Sequence, residues 1–110
     1  MNVVGNVKDR VCIIADDIID TAGTMHKAAQ ALIDNGATRV FATAVHGVLS
    51  GPALSRLDAA AIDRMIVTNT IAVEAKREKC HKIVVLSVAR LLAQAISSIH
   101  EETSVSKLFV

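Results

Sequence analysis

With 110 residues the chain is one domain or less, and 52% apolar against 21% charged residues excludes global disorder. A net charge of +1 with acids and bases interspersed gives no electrostatic footprint for nucleic acid or an anionic membrane. Two Phe, no Tyr and no Trp remove the stacking platforms of single-strand binders.

Met1 to Asp9 is mixed, with a turn at Gly5-Asn6. Val11 to Ala15 is a continuous apolar run, which predicts a strand covered on both faces, as in a parallel sheet. An acidic turn follows. Met25, Ala28, Ala29, Leu32 and Ile33 then form one face of a helix, which Asn35-Gly36 ends because Gly accepts a left-handed conformation. Arg39 to Val45 reads as a second strand, and Ser50-Gly51-Pro52 opens a short helix to about Ala60. Arg64 to Val67 is a third strand, with a polar break at Thr68-Asn69-Thr70. Glu74 to Lys79 reads as a short solvated helix or loop, and Lys82 to Leu86 as a fourth strand. The last helix starts at Ser87, with Val88, Leu91, Leu92, Ala95, Ile96 and Ile99 on one face. The alternation predicts an α/β fold, a doubly wound, mainly parallel sheet of about four strands with flanking helices. Its apolar strand centres and few covering charges suggest a partial domain, or a protomer that buries surface in an oligomer.

No apolar run approaches the roughly 18 residues that span a bilayer, and the first residues lack a basic stretch followed by an apolar one. Cys12, inside the first predicted strand, and Cys80, beside His81, do not suggest a disulfide framework, so a reduced, cytoplasmic setting is expected. No membrane or nucleic-acid partner is expected.

The most informative stretch is Val11 to Thr24: a buried strand, an acidic turn and a small-residue loop opening a helix. Strand, loop and helix N-terminus together present backbone N–H groups and a positive dipole end to a phosphate. Asp16, Asp17 and Asp20 would repel a bare phosphate, so their targets are hydroxyls or a metal ion belonging to the same ligand. A phosphate beside hydroxyls is a sugar phosphate. Thr21, Ala22, Gly23 and Thr24 supply small side chains, hydroxyls and N–H donors, a nest that holds a monoester without Lys or Arg. A side chain at Gly23 is expected to fill the space where those N–H groups meet the phosphate. The competing reading is that Asp20 or Thr21 merely caps the helix.

Asp16-Asp17-Ile18-Ile19-Asp20-Thr21-Ala22-Gly23-Thr24 resembles the phosphoribosyl-pyrophosphate signature of type I phosphoribosyltransferases and ribose-phosphate pyrophosphokinases. Val4 to Arg10, Thr43-Ala44-Val45-His46-Gly47, Ser50-Gly51-Pro52-Ala53, Val67 to Ile71 and Ser104 to Phe109 narrow the resemblance to the pyrophosphokinases. It covers nearly the whole chain. Two positions depart from the pattern: Ala72 stands where Pro is usual, and Asn6 where Asp is common. Neither lies in the acidic loop.

The resemblance implies diphosphoryl transfer from Mg-ATP to the anomeric hydroxyl of ribose 5-phosphate in nucleotide biosynthesis. By position, Asp16 and Asp17 would hold the ribose hydroxyls and could meet Mg²⁺ through bound sugar or water. Asp20, Thr21, Ala22, Gly23 and Thr24 would cradle the 5-phosphate. Ser104, Val105, Ser106 and Phe109 would contribute to a regulatory phosphate/ADP site at a subunit interface, which implies a homo-oligomer. Residues 1–110 would be the C-terminal phosphoribosyltransferase-like domain; the ATP contacts and the basic catalytic loop belong to parts of the family that this chain does not match. No catalytic residue is therefore assigned, and the segment alone is expected to bind but not turn over. The alternatives are a catalytically silent subunit of the synthetase and a salvage phosphoribosyltransferase. The second shares the acidic loop but not the His-Gly and Ser-Gly-Pro-Ala segments.

Other polar residues carry plainer expectations. His46 is expected to be packed or hydrogen-bonded, and His26 and His100 to lie on helix surfaces. Cys80-His81 lacks further ligands at zinc spacing and is expected to be structural. Lys76, Arg77, Lys79 and Lys82 read as a solvated face.

Overall fold

The computed structural model describes residues 2–109. Val110, the end of the apolar tail, and Met1 lie outside them. Strands β1 (Val11–Ile19), β2 (Arg39–Gly47), β3 (Met65–Thr68) and β4 (Ile83–Leu86) alternate with helices α1 (Gly23–Asp34), α2 (Ala53–Ala59), α3 (Glu74–Lys79) and α4 (Ala89–His100). A 3-10 turn, Val105–Phe109, closes the chain. The strands form one parallel sheet, as the alternation predicts, in the order β1-β2-β3-β4.

That sequential order decides where the core sits. Right-handed crossovers that step one strand at a time in one direction deliver every crossover helix to the same face. Val40, Ala42 and Ala44 of β2, Met65 and Val67 of β3 and Ile83 of β4 are accordingly buried. They pack with Met25 and Ala29 of α1, Ala53 and Leu57 of α2, and Val73 and Cys80 beside α3. On the other face Val11, Ile13, Val45 and Leu86 are exposed, Ile13 to 70%. The parallel α/β fold with flanking helices is thus present, but the strand order never reverses, so the described residues do not give the doubly wound arrangement expected and one sheet face is bare.

β1 and β2 outrun their predicted ends. Pairing continues through Asp16↔Ala44, Ile18↔His46 and Ile19↔Gly47, so the ladder holds residues whose polarity reads as a turn. The acidic pair therefore stands on the strand itself. α1 ends as expected: Gly36 takes φ 97, and its N–H and that of Ala37 close on Ile33 and Leu32 carbonyls at 3.0 Å.

α4 has the predicted amphipathic face but no buried residue, and Leu91, Leu92, Ile96 and Ile99 remain exposed. Its main packing partner is the closing turn. The result is an open slab, 51 × 34 × 19 Å, with a radius of gyration of 16.5 Å. A compact chain of similar length measures about 13 Å.

Candidate functional site

The carboxyl ends of parallel strands are where such sheets bind ligands, and β1 carries its carboxylates there. Asp16 accepts the Asp17 N–H at 2.8 Å, and Asp17 accepts the Ile18 N–H at 2.8 Å. The bond with the Asp16 carboxyl holds Asp17 below the usual carboxylate range, helped by the backbone N–H groups and, to a lesser degree, by His46. Both side chains are exposed.

Beyond the strand, the chain turns into α1 through Ala22, at φ 64 and ψ 10. No side chain caps α1, so Asp20 and Thr21 are not its cap. Asp20 faces another way, its carboxylate accepting the Ser50 hydroxyl and its carbonyl the Ser50 N–H at 3.0 Å. Among the described residues the N–H groups at the start of α1 have no intrahelical acceptor and no side-chain partner, an arrangement that suits an anion. An open cavity of about 210 Å³ lies over them, lined by Asp16, Ile18, Ile19, Asp20, Thr21, Ala22, Gly23, Thr24 and Met25. Six of the seven predicted sugar-phosphate residues meet in it. Asp17 stands beside it, outside the lining.

A larger open depression, about 570 Å³, lies at the other end of the sheet around Arg39, Phe41, Asp63 and Arg64. Its charges are already engaged: Arg39 pairs with Asp63 at 2.6 Å and sits 5.0 Å from the centre of the Phe41 ring. The smaller cavity, with free backbone donors and carboxylates together, is the better site.

A Cβ at Gly23 would stand 3.1 Å from the Arg56 guanidinium, a tight approach to the end of a long side chain. The same group donates to the Thr21 carbonyl at 3.1 Å. Lys76 donates to the Val48 carbonyl at 2.5 Å, and the N–H groups of Val48 and Leu49 close on the Ile19 carbonyl at 3.0 and 3.2 Å. Arg56, Ser50 and Lys76 thus brace the cradle from the β2–α2 and α3 side. Sequence spacing carried no signal for Arg56 or Lys76, because their targets are backbone carbonyls far along the chain.

His46 bonds through Nδ1 to the Thr70 hydroxyl at 2.7 Å, the packed role expected of it. Cys80 is buried, and its thiol donates to Asp58 at 3.3 Å. Lys76 and Lys82 differ from the expected solvated face, since both are spent on backbone carbonyls. In the tail, the Ser104 and Ser106 hydroxyls bond to each other at 2.6 Å, while Phe109 is 73% exposed. No group of three or more His, Cys, Asp or Glu suited to a metal occurs among the described residues.

The phosphoribosyl synthetase-associated domain family matches residues 1–110. The chain belongs to that family. Curated relatives agree: a ribose-phosphate pyrophosphokinase of Caldanaerobacter subterraneus subsp. tengcongensis is 52% identical over 99% of this chain and 34% of its own length. Ribose-phosphate pyrophosphokinase 1 of Listeria monocytogenes is 53% identical over the same shares. The crystal structure of phosphoribosylpyrophosphate synthetase from Mycobacterium smegmatis is similar with a TM-score of 0.85 and 45% identity, over 90% of this chain and 33% of that one. This member of the family thus spans about a third of the length of the relatives it matches. No helix among the described residues is long and apolar enough to cross a membrane.

Proposed function

We propose that this chain supplies the ribose 5-phosphate-binding part of a ribose-phosphate pyrophosphokinase. One observation carries the reading: the uncapped start of α1 and Asp16 line one cavity at the carboxyl end of β1, with Asp20 in its wall tied to Ser50. The N–H groups from Ala22 to Thr24 take the 5-phosphate, with the α1 dipole behind them. Asp16, with Asp17 beside it, accepts hydrogen bonds from ribose hydroxyls.

Mg²⁺ fits this donor set. Asp16 and Asp17 each use one oxygen for a backbone N–H. A pair of carboxylates suits an ion that keeps its waters and binds through one or two carboxylates and its substrate. When bound, it would supply charge neutralisation for phosphoryl transfer. ATP and the basic groups of the transfer step would come from the two thirds of the relatives' length not matched here. Ser104, Val105, Ser106 and Phe109 would serve a regulatory phosphate or ADP site in a homo-oligomer, and two free cysteines suit a reducing cytoplasm.

Titration of the ¹⁵N-labelled chain with ribose 5-phosphate, with and without Mg²⁺, tests the reading. Shifts of the Ala22, Gly23 and Thr24 amides at millimolar ligand are expected, without AMP formation when ATP is added. No amide response at that concentration would sink the assignment.

A further inference from the structure

Arg56 lies behind the cradle rather than in it. Its Nη1 reaches the Thr21 carbonyl at 3.1 Å and lies 3.1 Å from where a Cβ on Gly23 would stand. It takes no part in lining the cavity. Among the described residues it makes no salt bridge and no other side-chain hydrogen bond.

That placement fixes which way one peptide faces. No peptide bond among the described residues is cis. A trans unit sets its C=O and N–H on opposite sides. A Thr21 carbonyl drawn back toward Arg56 therefore sends the Ala22 N–H the other way, toward the cavity. Rotation of this unit would replace that donor with a carbonyl oxygen, which repels a phosphate. Ala22 also occupies the left-handed region, at φ 64 and ψ 10, which is strained for a residue with a Cβ. A conformation of that kind persists when its surroundings hold it. Arg56 is the side chain that does so from outside the loop.

We infer that Arg56 is a positioning residue that locks the Thr21–Ala22 peptide with its N–H toward the anion. The inference rests on the reading of this loop as a phosphate cradle. Because Arg56 is exposed, its replacement leaves the core intact.

The test uses the whole chain as the parent, Arg56→Met and Arg56→Lys, each titrated with inorganic phosphate and with ribose 5-phosphate. In Arg56→Met both affinities should fall about tenfold, the loss of one charge-assisted hydrogen bond. The ligand-induced shift of the Ala22 amide should vanish while that of Thr24 persists. Without ligand, the nuclear Overhauser effect between Thr21 Hα and the Ala22 amide proton should change, reporting the rotated peptide. Lys still offers a donor to the carbonyl, so Arg56→Lys should stay within about threefold of the parent. Parent-like affinity and an unchanged Overhauser effect in Arg56→Met would overturn the inference and leave the cradle standing. A tenfold loss in Arg56→Lys with the native Overhauser effect would overturn it too, even if Arg56→Met failed to fold. Binding by neither parent nor variant would overturn the cradle itself and the inference with it.

Discussion

Ser50 holds Asp20 at two points, its N–H on the Asp20 carbonyl at 3.0 Å and its hydroxyl on the Asp20 carboxylate. This joins the loop after β2 to the loop after β1 across 30 residues of chain. It also explains why Asp20 does not cap α1: its carboxylate is turned toward the Ser-Gly-Pro-Ala segment. Two separate motifs of the sequence are thus two sides of one structural tie.

Ser50→Ala removes the hydroxyl and keeps the backbone bond. The expected loss is about 1 kcal/mol of stability, with a several-fold weaker response to ribose 5-phosphate as the loop loosens. Thermal unfolding and amide titration measure the two effects. If neither changes, Asp20 is placed by the backbone bond alone.

Much of this arrangement was legible in the sequence. The apolar centres of β1 to β4, the helix stop at Asn35-Gly36 and the Asp-Asp…Asp-Thr-x-Gly-Thr loop all rest on local chemistry, which a chain displays in order. The unread parts are tertiary. Asp16 and Asp17 look like turn residues until Ala44 and His46 pair alongside to extend the ladder. Nothing in the sequence around Gly23 tells that Arg56 of α2 stands beside it. The periodic apolar face of α4 predicts a helix correctly but says nothing of what covers it, and in this chain it stays exposed.

Cys80 gives a pH dependence with a definite sign. Burial, and then its bond to Asp58, push its thiol above the ordinary value of 9.0. The unfolded chain loses this proton near that pH while the folded chain keeps it, so the folded state binds more protons above it. Stability from this group is complete below pH 9 and declines as the pH rises beyond it. Denaturant midpoints from pH 7 to 10 should show the decline, and Cys80→Ala should flatten it at some cost in packing. Iodoacetamide at neutral pH should modify half-buried Cys12 well before Cys80, since the thiolate is the nucleophile. Faster labelling of Cys80 would contradict the burial argument.

Lys82 closes the end of α2. Its ammonium donates to the carbonyls of Leu57 at 2.8 Å, Asp58 at 3.0 Å and Ala60 at 2.9 Å. These are acceptors at a helix C-terminus, where a cation is also favoured by the dipole. Lys82→Met keeps the stem and removes every donor, so the expected loss is about 2 kcal/mol. Because the site lies at the opposite end of the sheet, ligand affinity of the folded fraction should not move. A shift in affinity without loss of stability would reverse these roles.

The bare sheet face makes the last prediction. Val11 and Ile13 of β1, Val45 of β2 and Leu86 of β4 present exposed apolar side chains that no helix among the described residues covers, and the outer edge of β1 offers unpaired backbone groups. α4 adds Leu92, Ile96 and Ile99 at 55%, 67% and 69% exposure. Faces and edges of this kind associate in water, through burial of apolar area and through strand pairing. The isolated chain should therefore self-associate at micromolar concentration, with a light-scattering mass above the 11.6 kDa of one copy. Ile13→Lys with Leu86→Lys places charges on the bare face without touching the buried one, and should return the mass toward one copy with the fold retained. An oligomer unchanged by both lysines would move the contact to α4, where Ile96→Lys and Ile99→Lys should then dissolve it.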